Sequence, residues 1–470
     1  MPRTSASTSP VPTRPVRLTG WGRIAPTMAD LAAPATAAEA AALLRYLAEP
    51  PTSKSGSAIP RGLGRSYNNA AQSAGGIVIS TSRLNGIVSL DPATGVVVAE
   101  AGVSLEQLMV AGLPHGWFVP VSPGTRKVTV GGAIAADVHG KNHHVAGSFA
   151  SHVTSFDLLF PSAEQTEPHT VSRESDPELF WATAGGMGLT GVVLQATLRM
   201  LPVETSRILV ETKRVADLDE AMERMTETDA DYRFSVASLD NLATGPSLGR
   251  GWVESGNFAT RDQLPEKLRG APLAFNPKPL AKVPDLFPSG LLNRRTIRLM
   301  NEANFRRAPK SAHPHLASIG GFFHPLDAIH DWNRVYGGAG FLQYQFVVPF
   351  EAAPTLRRIV ERVAVQGAPS FVTVLKRFGP ASPGYLSFPT DGWTLTYDFP
   401  TGTPGLAGLL RWMDQQVLEA GGRLYLAKDS RMSAADVEAM YPRIEDFRKV
   451  RAEVDPHGVF VSDQSRRLSL

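Results

Sequence analysis

Cysteine is missing altogether from this chain of 470 residues. Its absence removes disulfides, thiolate nucleophiles, iron–sulfur clusters and zinc–thiolate sites together, so redox chemistry here would need an organic cofactor. Long apolar runs are missing too: no stretch of about 18 apolar residues reads as a membrane-spanning helix. Nor is there a marked charge excess. With 47 Lys and Arg against 44 Asp and Glu, the formal charge is +3, too little to point to nucleic acid as a partner. The first twenty residues are rich in Ser, Thr, Pro and Arg and lack both an apolar core and a small-residue cleavage site. They read as a disordered tail, assigned to residues 1–13, and not as a signal peptide, so secretion by the general route is not expected.

What is present fits a globular protein, 43% hydrophobic and 19% charged. The chain exceeds the roughly 250–300 residues at which one core stops growing, so two domains are expected. Its most informative stretches are two glycine-rich turns between β-like segments. The first is Arg61-Gly62-Leu63-Gly64-Arg65-Ser66-Tyr67-Asn68-Asn69 and the second runs from Pro123 through Gly124 and Thr129-Val130-Gly131-Gly132 to Ala133. Such turns leave main-chain N–H groups open to a diphosphate. Two in one domain point to a large dinucleotide held along its length.

Between and beyond them the pattern is α+β. Residues 35–47 form an alanine-rich amphipathic helix closed by Pro50-Pro51, and 76–80, 86–90 and 96–100 read as short strands. Ser104 and Gln107 form a capping box for a helix. Gly186-Met187-Gly188-Leu189-Thr190-Gly191 matches G-x-G-x-x-G, but the residues after it alternate like a strand, which favours a tight turn feeding a strand over a dinucleotide fingerprint. Between Pro265 and Lys310 there are ten Lys or Arg, three acids and five further prolines up to Pro288. This reads as a proline-studded basic loop, assigned as a lid over 265–315, either solvated or facing phosphate or membrane.

The motifs RGLGRSY at 61–67, PGTRKVTVGGAIAADVHGKNHH at 123–144, FWATAGGMGLTG at 180–191, FLQYQF at 341–346 and GGRLYLAKDSR at 421–431 together resemble the decaprenylphosphoryl-β-D-ribose oxidase family of the vanillyl-alcohol-oxidase-like superfamily. The resemblance runs from about Leu18 to the C-terminus, and HGKNHH combined with RLYLAKDSR is its narrowest part. It implies a two-domain α+β, PCMH-type FAD-binding fold. The FAD domain would comprise residues 14–203 and 422–470, around a substrate domain at 204–421 built on an antiparallel sheet. Pro60, Arg61, Gly62, Leu63, Gly64, Arg65, Ser66, Tyr67, Asn68, Asn69, Ala70, Gly124, Thr129, Val130, Gly131, Gly132, Ala136, Asp137, Val138 and His139 would wrap FAD, with Val193 and Tyr425 against the flavin.

The implied reaction oxidises the 2′-hydroxyl of a polyprenyl-phosphate-linked ribose to a ketone, the first step towards the arabinose donor of cell-wall arabinan. Lys428 would be the charged group beside flavin and sugar, with Tyr67, His139, Lys376 and Gln345 as further site residues and Phe323 and Phe378 as possible core. Lys428 lies on a strand-like run between Tyr425 and Asp429. Relatives with covalent FAD place histidine where this chain has Arg65, so dissociable FAD is expected. His139, His143 and His144 lie in what reads as a loop, with no carboxylate or thiolate at matching spacing, and no metal is assigned. The family further implies a membrane quinone as acceptor, a short-chain dehydrogenase that reduces the keto product, and association with the cell membrane; the missing signal peptide favours the cytoplasm or the cytoplasmic periphery of the membrane, the periplasmic face left open. Pocket departures are Ser238 for an aromatic, Phe323 for tyrosine, and Thr394 and Thr396 where mycobacterial members have asparagine and cysteine. Without that cysteine, thiol-directed inhibitors have nothing to react with. Two other readings are an oxidase of a soluble sugar alcohol or aldonolactone, and a surface binder using the arginine-rich segment.

Overall fold

The computed structural model describes residues 9–48, 57–162 and 167–470. The first sheet contains β1 (Thr13–Leu18), β2 (Thr27–Ala32), β3 (Ala58–Arg61) and β4 (Ile77–Ser80) in the order β1-β2-β4-β3. Its β3 and β4 run parallel, so both carboxyl ends open on one side, and the loop after β3 emerges there. Helix α1 (Ala37–Ala48) covers this sheet with Ala40, Leu43, Leu44 and Leu47 buried, as its apolar spacing predicts. Pro50-Pro51 lies outside the described residues.

The second sheet is antiparallel. It contains β5 (Ile87–Leu90), β6 (Val96–Glu100), β7 (Val153–Leu159), β8 (His169–Ser172) and β9 (Val192–Arg199), ordered β5-β6-β9-β7-β8. Helix α2 (Leu105–Gly112) starts with the expected capping box: Ser104 Oγ accepts from Gln107 N, and Gln107 Oε1 accepts from Ser104 N. The 186–191 segment is a tight turn into β9, with positive φ at Met187, Gly188 and Gly191. At Gly188 a Cβ would lie 2.9 Å from Pro60 Cγ, so the turn packs directly against the end of β3.

The third sheet has eight antiparallel strands: β10 (Arg207–Val215), β11 (Phe234–Leu239), β12 (Gly251–Phe258), β13 (His313–Ser318), β14 (Phe341–Val348), β15 (Thr373–Phe378), β16 (Gly392–Pro400) and β17 (Arg423–Leu424). Their order is β13-β10-β12-β11-β15-β16-β14-β17. After β17 the chain returns to the first sheet, where Ala58 N–H donates to Val459 O at 2.7 Å and Val461 N–H to Ala58 O at 2.8 Å.

Three sequence expectations change. Residues 1–8 lie outside the described residues, but the tail does not extend to 13: Val11 is buried in the core beside α1 and the strand β1 begins at Thr13. The 265–315 segment is not one long loop. Its prolines stop at Pro288 and resume at Pro309, which leaves room for helix α3 (Arg294–Arg307), capped by Asn293 Oδ1 accepting from Arg295 N and Thr296 N. Residues from His313 onward join the sheet as β13. Finally, Tyr425–Asp429 is a turn and not a strand, since the N–H groups of Lys428 and Asp429 both donate to Tyr425 O at 2.9 Å.

Candidate active site

A cavity of about 530 Å³ lies where the three sheets meet. One wall is main chain and small residues. The loop leaving β3 supplies Pro60, Arg61, Gly62, Leu63, Gly64, Arg65, Ser66, Tyr67 and Ala70, and the second glycine turn supplies Gly124, Thr129, Gly131, Gly132, Ala136, Val138 and His139. Arg61 anchors the first loop by donating to Ala71 O at 3.0 Å and Thr19 O at 2.7 Å. Gly62 passes so close to the second turn that a Cβ would sit 2.2 Å from Thr129 Oγ1. Among the described residues, no main-chain hydrogen bond engages the N–H groups of Gly64, Arg65 and Ser66.

The second turn differs from the sequence expectation. Val130 N–H donates to Val103 O at 2.8 Å, Gly131 N–H to Ala101 O at 2.9 Å and Gly132 N–H to Thr129 Oγ1 at 3.1 Å. These three donors are committed to the fold, so Gly131 and Gly132 do not offer open N–H groups as the first loop does. Asn68, Asn69, Val130 and Asp137 stand off the cavity wall. Asn68 is buried and donates through Nδ2 to Leu426 O at 2.7 Å and to Asp429 O. Asp137 accepts from Ser148, Ser382 and Ser387 hydroxyls and holds loops together.

The opposite wall consists of side chains from the large sheet. Along β16 the polar residues Thr394, Thr396 and Asp398 alternate with Trp393, Leu395, Tyr397 and Phe399, and period 2 sends each set to its own face. Thr396 and Asp398 reach the cavity beside Gln343 and Gln345 of β14, Lys376 of β15, and Tyr425 and Lys428 of the turn after β17. That turn is locked to both walls: Tyr67 N–H donates to Ala427 O at 3.0 Å, Tyr425 N–H to Gln345 O at 3.0 Å and Tyr425 Oη to Ala136 O at 2.7 Å. A third side, from Phe322, Phe323 and Leu326, is fixed by Asp327, which accepts from Thr125 Oγ1 at 2.7 Å and Arg126 N at 2.8 Å.

Lys428 Nζ lies 3.7 Å from the centre of the Tyr67 ring. Burial pulls the Lys428 ammonium well down from its ordinary range, Asp398 opposes this, and Lys376 adds to it. Asp398 is pushed up by burial against the hydrogen bond it accepts from Gln343 Nε2 at 2.5 Å and against the pull of Lys428. Burial brings Lys376 down to about 8, helped by Lys141. It also pushes the Tyr67 hydroxyl well up and the His139 imidazole well down, so both are neutral at pH 7. His139 Nε2 accepts from Gln345 Nε2 at 2.9 Å, which places the ring proton on Nδ1.

The other two histidines do not line the cavity. They lie on a single helical turn, His143–Ala146, where the sequence reads as loop. His143 Nδ1 accepts from Gly379 N and His144 Nε2 meets Tyr232 O. Phe378 is core, whereas Phe323 both packs in the core and lines the cavity. Of the pocket departures, Ser238, Phe323 and Thr396 line the cavity. Thr394 is fully buried behind it, where its Oγ1 accepts from Gln345 Nε2 at 3.2 Å.

Sequence reasoning missed Asp398, Gln343, Lys141, Glu254 and Trp21. The first two carried a signal, because each is polar at a position whose strand neighbours two away also face the cavity. Trp21 carried none. It lies under Arg65, 3.9 Å from the guanidinium carbon to the ring centre.

The wall of free main-chain N–H groups suits an anionic dinucleotide. Two orphaned donors on cavity-lining residues, Arg65 Nε and His139 Nδ1, suit its oxygen-rich groups. Comparison with known proteins agrees. Residues 29–167 match the FAD binding domain family, and residues 401–468 match the D-arabinono-1,4-lactone oxidase family. The decaprenylphosphoryl-β-D-ribose oxidase of Mycolicibacterium smegmatis is 45% identical over 99% of this chain and 100% of that one. The chain belongs to the decaprenylphosphoryl-β-D-ribose oxidase family. It is an FAD-dependent oxidoreductase with the two-domain α+β fold of PCMH-type flavoproteins. An uncharacterized protein from the mprA 5′ region of Streptomyces coelicolor is 44% identical over 78% of this chain and all of its own length. The rice mitochondrial L-galactono-1,4-lactone dehydrogenase 1 is 31% identical over only 34% of this chain and 26% of its own. Likeness to lactone-oxidising relatives is therefore partial, whereas likeness to the decaprenylphosphoryl-β-D-ribose oxidase extends through the side-chain wall.

Proposed function

We propose that this protein oxidises the 2′-hydroxyl of decaprenylphosphoryl-β-D-ribose to the 2′-ketone, as the first step in forming the arabinose donor for cell-wall arabinan. The observation that carries this reading is 45% identity to a decaprenylphosphoryl-β-D-ribose oxidase over 99% of the chain, a span that takes in both cavity walls. Bound FAD supplies a two-electron acceptor for the hydride that leaves C2′.

The residues of the chain do the rest. Pro60 to Tyr67 and Ala70, with Gly124, Thr129, Gly131, Gly132, Ala136, Val138, His139, Val193 and Tyr425, hold the cofactor. Arg65, standing where covalent relatives have histidine, leaves it dissociable. Lys428, supported on the Tyr67 ring and facing Asp398, orients the sugar hydroxyl and stabilises negative charge that develops as its proton departs. Neutral His139, held by Gln345, and the β16 face position the ring. The FAD domain comprises residues 14–203 and 422–470, and the substrate domain 204–421.

A membrane quinone reoxidises the cofactor, and a short-chain dehydrogenase partner reduces the keto product. Among the described residues no helix is long and apolar enough to cross a membrane. The basic 265–315 segment, with Leu286 and Leu299 largely exposed, suits peripheral contact with the membrane that carries the substrate. A second reading, oxidation of a soluble aldonolactone or sugar alcohol, is favoured by the lactone-oxidase match over residues 401–468.

One experiment separates the two. The holoenzyme is mixed anaerobically with polyprenylphosphoryl ribose, and the flavin absorbance near about 450 nm is followed. Bleaching that recovers on adding a quinone is the expected result; bleaching only with soluble polyols or lactones would replace the first reading with the second.

A further inference from the structure

Among the described residues three lysines face the cavity, Lys141, Lys376 and Lys428, and they differ in what neutralises them. Lys141 Nζ donates to Phe322 O at 2.7 Å, lies 4.0 Å from Glu254 and stacks on the Phe322 ring. Lys428 has the Tyr67 ring beneath it and the carboxylate of Asp398 acting on it. Lys376 has no such support. Among the described residues its side chain makes no hydrogen bond and no ion pair, although Thr394, paired with it across the sheet, and Thr396, two residues along the same strand, are polar. The groups acting on or affected by it are Lys141, Lys428, His139 and His143, none of them an anion. An ammonium enclosed beside two other lysines and two neutral imidazoles is costly unless an anion joins it, and Lys376 opens onto the cavity.

We propose that Lys376, with Lys141 beside it, forms a phosphate subsite that pairs with the phosphodiester of a prenyl-phosphate-linked sugar. This inference rests on the proposed substrate class and adds the residue that recognises its charge. It assigns Lys376 to anchoring and leaves Lys428 to the hydroxyl. No covalent step is involved. The ligand anion takes the place of the missing carboxylate, and its arrival raises the affinity of Lys376 for its proton. Glu254 and Asp398, the acids on the same cavity, are already engaged by Lys141 and by Gln343.

The test uses FAD-saturated protein and farnesyl phosphate, with farnesol as the uncharged control, and reads binding from the perturbed flavin spectrum. For Lys376→Met, affinity for farnesyl phosphate is expected to fall about ten- to a hundred-fold, the range of a lost charge-assisted hydrogen bond, while farnesol binding stays unchanged. Lys376→Arg retains most of the affinity. In the native protein the affinity declines as pH rises through about 8, where the free ammonium gives up its proton, and this dependence disappears in Lys376→Met. With polyprenylphosphoryl ribose the variant shows a raised KM and a kcat within about three-fold of native.

Equal binding of farnesyl phosphate by native protein and Lys376→Met would overturn the proposal. So would a parallel loss of FAD affinity, which would assign Lys376 to the cofactor diphosphate. If the native protein fails to oxidise polyprenylphosphoryl ribose yet binds farnesyl phosphate through Lys376, the subsite stands and the substrate reading falls.

Discussion

The two walls of the cavity are built from different materials. One is main chain: a loop after β3 with free N–H groups, pressed against a second turn so tightly that Gly62 and Thr129 leave no room for a methyl group. The other is side chain: Gln343, Gln345, Lys376, Thr396, Asp398 and Lys428, drawn from three strands and a turn and tuned by burial and by one another. A main-chain wall recognises a group by shape and by its oxygens, and is defeated by added bulk. A side-chain wall acts through charge, and is defeated by changes that leave its shape intact. On the proposed function the first would govern whether the cofactor binds and the second what happens to the substrate.

The contrast is sharpest at Lys428. Replacing it with methionine keeps the length and the contact with Tyr67 but removes the charge. Flavin reduction by substrate is expected to slow by about a hundred-fold or more, the scale of losing one electrostatic stabiliser, with FAD content and affinity unchanged. Stopped-flow reduction under anaerobic conditions, beside a cofactor titration, checks both halves. A variant that loses FAD in proportion to its rate would erase the distinction between the walls.

Gly62→Ala probes the other wall. Its methyl group must displace Thr129 Oγ1, which also accepts from Gly132 N–H, so the strain spreads into the second turn. Overpacking of this kind costs about 1–3 kcal/mol. FAD affinity should fall at least several-fold, while the reduction rate of the fraction still loaded remains near native. Equilibrium dialysis of FAD gives the first quantity, and a rate per bound flavin gives the second.

The same division explains what could be read from the sequence. The first loop was legible because its glycines, Arg65 and Tyr67 are adjacent in the chain and a local motif states the local geometry. The mixed commitment of the second turn was not legible: the partners of Val130 and Gly131 are Val103 and Ala101, set by the packing of β6 and the segment after it. Lys376, Gln345 and Lys428 were reached through family motifs. Asp398 and Gln343 lie inside strands whose polar positions show only as a period-2 alternation. Helix α3 was obscured because the prolines on either side of it outweighed the uninterrupted stretch between them. Trp21, which supports Arg65, is 44 positions earlier in the chain and had no local pattern to mark it.

The burial of Lys376 has a consequence for stability that the main-chain wall does not share. In the folded protein without ligand its pKa is about 8, against an ordinary value of 10.5. Between these two pH values the unfolded chain holds a proton that the folded chain has released, so this group makes stability rise with pH across that window. Below about pH 8 the full cost of the enclosed charge is present. Lys376→Met should be more stable than native protein at pH 7, with the difference shrinking towards pH 10.5. Thermal unfolding of both proteins over pH 7–10 tests this, and an advantage that does not change with pH would mean the ammonium is better solvated than its surroundings indicate.

The smallest expected effect lies behind the side-chain wall. Thr394 Oγ1 accepts from Gln345 Nε2 at 3.2 Å, and the same nitrogen donates to His139 at 2.9 Å. Thr394→Val preserves volume and removes only the acceptor, leaving Gln345 held by its stronger partner. A loss of about 0.5–1.5 kcal/mol in stability follows from one modest hydrogen bond. The reduction rate should change by less than about three-fold, since the amide is redirected and not released. Gln345→Leu removes both bonds and frees the His139 ring, so it should exceed the threonine variant in both measurements. Equal effects from the two would show that Thr394, and not His139, is the contact that fixes the amide, and would move the edge of the functional wall one residue deeper into β16.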